Sequence, residues 1–205
     1  MQKVNRDSSQ QKLLSNIKFI GDSLLKGAGS VVKNYFARYQ PDTCGLITYD
    51  NNRLKDKIEP PKWIEDVNGD HKKDRVFVLP PFHYCDDGDS YVFYDTSLPR
   101  LYTDSYCCHP DNLFSIGDID EDGFDEICIF YSSCVSRFKS LIAYTLKAGK
   151  WKQIGRCTFD IAYMLPVKEK RVRKTGRGKF KMLEVNQNGS DQGPNGVQQW
   201  QAFSF

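Results

Sequence analysis

The sequence predicts a mainly β protein, a small β-sandwich or partial propeller-like β domain that follows an N-terminal helical segment. Apolar residues recur at helical spacing over residues 11–40. After Pro41, short segments rich in Val, Ile, Phe and Tyr alternate with Asp, Asn, Gly and Pro, which is typical of strands and turns. At about 150 residues per domain, a chain of 205 residues favours one domain with an appendage. We therefore expect a helical arm at 1–42 and a β domain at 43–205.

The helical arm is predicted to consist of two short helices. Gly27 and Gly29 interrupt the apolar pattern, and Ser30 can cap a second helix. Pro41 cannot continue a helix, because it lacks the backbone N–H that helical bonding needs. The arm is expected to pack on another element as a lid.

The β domain is predicted from a series of short strand-like segments, at 45–49, 75–79, 91–94, 127–131, 141–146, 151–154 and 179–185. The clearest hairpin joins 141–146 to 151–154, where Gly149 can adopt the positive φ of a short turn. Residues 186–196 form a polar, glycine-rich loop before a final apolar segment.

Two acidic loops of the same pattern precede two of these segments. Both place oxygen-bearing side chains at loop positions 1, 3, 5 and 9, and a backbone carbonyl can serve at position 7. Ca²⁺ takes six to eight oxygen ligands, so such loops can wrap it. The predicted ligands are Asp66, Asn68, Asp70, Lys72 (carbonyl) and Asp74 in the first loop, and Asp118, Asp120, Asp122, Phe124 (carbonyl) and Glu126 in the second.

The loops differ from EF-hands, because a strand rather than a helix follows each of them and position 12 carries no Glu. Ile64–Asp70 and Phe114–Gly123 resemble the calcium loops of FG-GAP or VCBS-type repeats. The resemblance covers about 85 residues with a repeat offset of 52, and His71 stands where the family pattern has Gly. It implies a calcium-binding β protein. Two repeats fall short of the roughly four blades of a closed propeller, so we expect a small β-sandwich or a partial propeller.

Calcium is expected to be structural, because like charges in each loop repel unless a cation neutralises them. Extracellular calcium fills modest sites more readily than resting cytosolic calcium, so a periplasmic or secreted location is favoured. Seven cysteines leave the redox compartment open, and a cytoplasmic location stays open with it. The longest apolar run, 127–131, is too short to span a membrane.

A basic segment provides the candidate binding surface. Residues 168–181 carry eight Lys or Arg against one Glu, whereas the other 191 residues sum to a charge of −4. This balance favours an acidic protein partner over nucleic acid; a solvated hairpin is the alternative. The candidate partner-binding residues are Lys170, Arg171, Arg173, Lys174, Arg177 and Lys179. Without a catalytic set, the sequence favours a non-enzymatic calcium-binding protein that binds other proteins, such as a bacterial inhibitor or immunity protein.

Other motifs are weaker. Gly21–Leu24 spells the nucleophile motif of GDSL esterases, but no histidine lies three residues after an aspartate to serve as the base. Cys85, Cys107 and Cys108 could bind zinc with nearby histidines; in an exported protein, a disulfide from Cys85 to Cys107 or Cys108 is preferred. The alternative function is a metal-dependent hydrolase, which requires an open coordination position on the metal.

Overall fold

The computed structural model describes residues 2–37, 45–131, 134–163, 166–186 and 196–205. It is mainly β, with 39% strand and 21% helix, and helices at its N-terminus. The predicted fold class is therefore confirmed. The chain divides into two compact units, Met1–Trp63 with Arg75–Pro110, and Ile64–Asp74 with Asp111–Phe205. Each unit thus combines separate stretches of chain, while the predicted boundary at 42–43 lies outside the described residues.

The first unit contains the helices. Helix α1 (Gln2–Phe19) continues into a π-helical turn, Ile20–Leu24, and α2 (Gly29–Ala37) and α3 (Asn51–Lys57) follow. The predicted break between two N-terminal helices is present, and the second helix begins one residue before Ser30. Helix α3 was not predicted; its signal is Asp50, whose side chain accepts a hydrogen bond from the Arg53 amide at 2.9 Å as an N-cap.

A four-stranded sheet has the order β1 (Lys62–Ile64), β2 (Asp74–Leu79), β3 (Ser90–Phe93) and β4 (Leu101–Tyr102). The described β2–β3 and β3–β4 pairs are antiparallel. In the first unit, apolar side chains of β2, β3 and the helices share one core, including Ile20, Val32, Leu54, Phe77 and Val92. Within the described residues, the predicted strand at 45–49 is an isolated bridge between Leu46 and His83.

The second unit contains a seven-stranded sheet that curls into a half-barrel. Its strands are β5 (Leu113–Gly117), β6 (Glu126–Tyr131), β7 (Phe138–Lys147), β8 (Lys150–Asp160), β9 (Val172–Gly176), β10 (Lys179–Asn186) and β11 (Val197–Ser204). The order is β11–β10–β8–β7–β6–β5, and β9 pairs with β10. A two-residue turn with positive φ at Ala148 and Gly149 joins β7 to β8, so the hairpin prediction is confirmed.

Short 3₁₀ turns at Pro110–Asn112 and Lys168–Arg171 complete the described elements. Most of the predicted polar loop, 187–195, lies outside the described residues. Within the part of the chain that the structure describes, no helix is long and apolar enough to cross a membrane.

Candidate metal centre

The two acidic loops both belong to the second unit and occupy equivalent places in the chain. The first loop, Asp66–Asp74, connects β1 to β2, and the second loop, Asp118–Glu126, connects β5 to β6. Residues at position 2, Val67 and Ile119, are fully buried. Each loop is therefore anchored on the protein interior at position 2.

The carboxylate at position 1 organises each loop in the same way. Asp66 accepts hydrogen bonds from the amides of Asp70 (3.2 Å) and His71 (2.6 Å), at positions 5 and 6. Asp118 accepts from the amides of Asp122 (3.1 Å) and Gly123 (2.9 Å), which are the same two positions. One side chain thus bends the backbone of each loop around itself.

The later positions repeat as well. The carboxylate at position 5 accepts a hydrogen bond from the backbone amide at position 7. Asp70 accepts from the Lys72 amide at 2.9 Å, and Asp122 accepts from the Phe124 amide at 3.1 Å. The buried carboxylate at position 9 accepts from the amide at position 2: Asp74 from Val67 at 2.9 Å, and Glu126 from Ile119 at 2.7 Å. The sequence repeat is therefore also a repeat of hydrogen bonding.

Backbone conformation explains why glycine stands at position 4 of the first loop and position 6 of the second. Positions 4 and 6 have positive φ in both loops: Gly69 (75°) and His71 (64°) in the first, Glu121 (61°) and Gly123 (92°) in the second. Positive φ is uncommon for residues other than glycine, although histidine tolerates it better than most. His71 therefore adopts the backbone conformation of Gly123, so its presence does not abolish the loop geometry.

The loops differ in how closely their carboxylates gather. Ligand oxygens of Asp118, Asp120 and Glu126 all lie within 4.8 Å of one another, and this is the one such group among the described His, Cys, Asp and Glu residues. With Ca²⁺–oxygen distances of about 2.3–2.6 Å, two ligands across an ion stand up to roughly 5 Å apart. The three carboxylates of the second loop and their spacing fit the oxygen ligands that Ca²⁺ takes.

Lys147, on β7, balances the charge of the second loop. Its Nζ lies 2.6 Å from Asp120 Oδ2 and 2.5 Å from Asp122 Oδ2. These contacts raise the pKa of Lys147 above its usual value. An ammonium therefore supplies part of the positive charge that a bound cation would bring.

The pKa values of the acidic groups reflect this crowding. Burial, with the nearby charges of Asp120 and Asp122, raises the pKa of Glu126 to about 7, although the Ile119 amide and the Thr145 hydroxyl act in the opposite direction. Burial alone would raise the pKa of Asp122, but hydrogen bonds from Lys147 and the Phe124 amide lower it overall. Charge inside the second loop is thus only partly compensated by the protein.

The first loop lies against the second. The Asp125 amide donates to the Asp66 carbonyl at 3.3 Å. A Cβ added at Gly69 would stand 2.9 Å from the Gly123 carbonyl oxygen and 3.4 Å from the Phe124 ring. Glycine at position 4 of the first loop is therefore required both by its φ and by this close approach.

The basic segment is also in contact with the second loop. Lys174 donates to the Asp118 carbonyl at 2.8 Å and pairs with Glu121 at 3.0 Å, while Arg177 donates to the Asp120 carbonyl at 3.0 Å. At the hairpin tip, the Gly178 amide donates to the Ile119 carbonyl at 2.9 Å. Two of the predicted partner-binding cations therefore hold the acidic loop in place.

The other basic candidates divide into two groups. Lys170, Arg173 and Lys179 are exposed, and the guanidinium of Arg173 lies 4.0 Å from the centre of the Trp200 ring. Arg171 is buried, donates to the Pro166 carbonyl and lies over the rings of Phe130 and Phe159. The prediction that Arg171 binds a partner is therefore corrected, because its side chain packs in the interior.

The weaker motifs have structural explanations. Gly21 approaches α2 so closely that an added Cβ would stand 2.7 Å from Gly29 Cα, and Ser23 is exposed on the π-helical turn. Cys85, Cys107 and Cys134 are disulfide-bonded, whereas Cys108 is a free thiol. Of the two predicted partners for Cys85, Cys108 is therefore wrong, whereas Cys107 is disulfide-bonded as that alternative requires. Cys85 and Cys107 thus have no thiolates to offer zinc.

The chain has no match among protein-family models, curated proteins or solved structures. Lys147 was not predicted from the sequence, because its distance of 25 residues from Asp122 leaves no local pattern. The pairing of β6 with β7 brings it to the loop, and only the correct strand register would have located it.

Proposed function

We propose that this chain is a non-enzymatic, calcium-stabilised β protein whose loops and basic hairpin present a surface for binding another protein. The repeated hydrogen bonding of the two acidic loops carries the proposal. Both loops share carboxylate–amide bonds at positions 1, 5 and 9 together with positive φ at positions 4 and 6, which supports a common role for the two loops.

The expected role of the ion is structural. Asp118, Asp120 and Glu126 supply the clustered oxygens, with the carbonyl of Phe124 as a further predicted ligand. The predicted ligands of the first loop are Asp66, Asn68, Asp70, the carbonyl of Lys72 and Asp74. A cation in the second loop would neutralise the repulsion among its carboxylates and so stabilise the folded state.

The proposed partner is a protein with an acidic surface. The exposed Lys170, Arg173 and Lys179 belong to the same basic segment that Lys174 and Arg177 attach to the second loop. Calcium would therefore order the binding surface as well as the loop. An inhibitor or immunity protein that covers another protein's active site fits this design, because charge complementarity favours fast and specific association. The disulfide-bonded cysteines support a periplasmic or secreted location.

The experiment is a thermal melt of metal-stripped protein with and without millimolar Ca²⁺. A Ca²⁺ concentration of one hundred times the dissociation constant adds about 2.7 kcal/mol to the free energy of unfolding. Asp120→Asn should lose most of this gain. The matched control is Glu121→Gln, which removes one charge from the same loop at a position whose side chain is not a predicted ligand.

Partner binding has its own test. Affinity capture from native cells at low salt should retain an acidic protein on the wild-type chain, and a triple variant K170E/R173E/K179E should lose it. Equal capture by both chains would contradict the basic surface, and no calcium stabilisation of the wild type would contradict the metal loops.

A further inference from the structure

Three side chains of the first unit lie next to one another across neighbouring strands. Trp63 is on β1, Arg75 is on β2, and Tyr94 directly follows β3. The Tyr94 amide donates to the Arg75 carbonyl at 2.9 Å, so these two residues are opposite each other. The guanidinium carbon of Arg75 lies 4.9 Å from the centre of the Trp63 ring and 4.4 Å from that of the Tyr94 ring. Rings from the strands on either side therefore hold this guanidinium.

The guanidinium of Arg75 makes no hydrogen bond or ion pair within the described part of the chain. The residue is half-buried; its Nε is buried, whereas Nη1 and Nη2 reach the surface. Two other described arginines are buried or half-buried, and both have oxygen partners. Arg100 pairs with Asp86 at 3.4 Å, and Arg171 donates to the Pro166 carbonyl at 2.7 Å. Arg75 is thus a positioned cation that lacks an anion.

The chemistry of the guanidinium indicates which anion fits. Aromatic rings contact the face of a guanidinium, whereas hydrogen bonds are donated in its plane, so stacking leaves the donors available. A planar carboxylate matches two N–H groups of this fork. Arg75 is the charged group that acts on the Tyr94 hydroxyl, and it lowers the pKa of that group against the larger effect of burial. One cation balances one negative charge, which favours a carboxylate over a doubly charged phosphate.

Trp63 adds an apolar surface beside the cation. Its ring is 59% exposed, although tryptophan is highly buried on average. Tryptophan, tyrosine and arginine are also the residue types enriched where binding energy concentrates. The exposed part of the ring can therefore pack against the carbon atoms that carry the carboxylate.

We propose that Trp63, Arg75 and Tyr94 form a binding site for a carboxylate, which accepts hydrogen bonds from Nη1 and Nη2 of Arg75. Both donors are Nη atoms, because Nε is buried. The carboxylate can belong to a free organic acid or to an acidic side chain of a protein, and the experiment distinguishes these sources. The site goes beyond the proposed function, since it lies in the first unit and does not depend on the acidic loops.

The test is a titration of the full chain with isobutyrate at constant ionic strength, followed by the indole N–H NMR signal of Trp63. Loss of that signal in Trp63→Phe assigns it. We expect saturable shifts with isobutyrate and none with the neutral isobutyramide. Inorganic phosphate is titrated in parallel, and tighter binding of phosphate would overturn the assignment to a carboxylate. Nα-acetyl-glutamate methylamide separates the sources: tighter binding than isobutyrate assigns an acidic side chain, and weaker binding assigns a free acid.

Two variants of Arg75 keep the test decisive. Arg75→Gln removes the charge and should weaken isobutyrate binding about tenfold or more. Arg75→Lys keeps a cation between the rings but loses the planar fork, so it should weaken binding several-fold. The matched control is Arg53→Gln, which removes an exposed guanidinium 5.7 Å from the Tyr49 ring and should leave binding unchanged. No saturable shift in the wild type, or unchanged binding in a folded Arg75 variant, would overturn the proposal.

Discussion

Replacing Lys147 with methionine separates two roles that its ammonium can have, as a permanent part of the second loop or as a substitute for a metal ion. Its Nζ contacts both Asp120 and Asp122 at hydrogen-bond distance. Removal of the ammonium leaves these carboxylates without their cation. We therefore expect Lys147→Met to weaken the metal-free protein and to strengthen calcium binding.

The magnitude follows from the geometry. A hydrogen bond to a charged group contributes about 1.5–3 kcal/mol when it is well buried, and an exposed ion pair contributes about 0.2–1 kcal/mol. The side chain of Lys147 is 44% exposed, whereas that of Asp120 is 16% exposed. After discounting for solvent screening, we assign roughly 1–2 kcal/mol to the two contacts together. Calcium must displace them, so their loss should raise the calcium affinity about tenfold.

The assay is calorimetric titration of metal-stripped protein with Ca²⁺, combined with thermal melts of the metal-free forms. Lys150→Met is the matched control, because Lys150 is an exposed lysine on the same hairpin. The control should leave calcium affinity unchanged. An affinity in Lys147→Met equal to or below that of the wild type would refute displacement and make the ammonium a permanent component of the loop.

Three further predictions concern the first unit and the thiols. Gly88→Ala should cost about 3 kcal/mol or more in thermal unfolding, because its Cβ would stand 2.5 Å from the Ser105 carbonyl oxygen; Gly29→Ala, whose Cβ meets nothing closer than 3.9 Å, is the control. Asp50→Ala should cost about 1 kcal/mol in denaturant unfolding by removing the α3 cap, and an unchanged midpoint would contradict the cap. Burial raises the pKa of Cys108 to about 11 and of Cys157 to about 12, so native protein at pH 8 should react slowly with iodoacetamide at both; rapid labelling before denaturation, detected by mass spectrometry, would contradict their burial.

Local chemistry explains which parts of the fold were predictable. The strands at 127–131 and 179–185 were predicted within one residue of β6 and β10, because their residue types and flanking turns agree. The very short β1 and β4 have little pattern, and their extended conformation depends on pairing with neighbours. Segment 45–49 has strand-like residues, but in the described part of the chain its pairing is the single bridge from Leu46 to His83.

In the candidate site, too, local features were predictable from the sequence and contacts between distant segments were not. Spacing in the sequence predicted Asp118, Asp120 and Glu126 as ligands of one loop, and the structure brings these three carboxylates together. The contact between the basic hairpin and this loop spans 57 residues from Arg177 to Asp120, so it depends on the tertiary fold. Lys174 and Arg177, which the sequence suggests for binding a partner, therefore bind the second loop of their own chain.

The close approach of the two acidic loops has a consequence for how they would fill. The Asp125 amide bonds to the Asp66 carbonyl, and Gly69 lies against the Gly123 carbonyl, so we expect a change in the shape of one loop to act on the backbone of the other. Coupling between binding sites is reciprocal: if an ion in the second loop tightens the first by some factor, an ion in the first tightens the second by the same factor. The loops would then respond to calcium as a cooperative pair, over a narrower range of concentration than two independent sites.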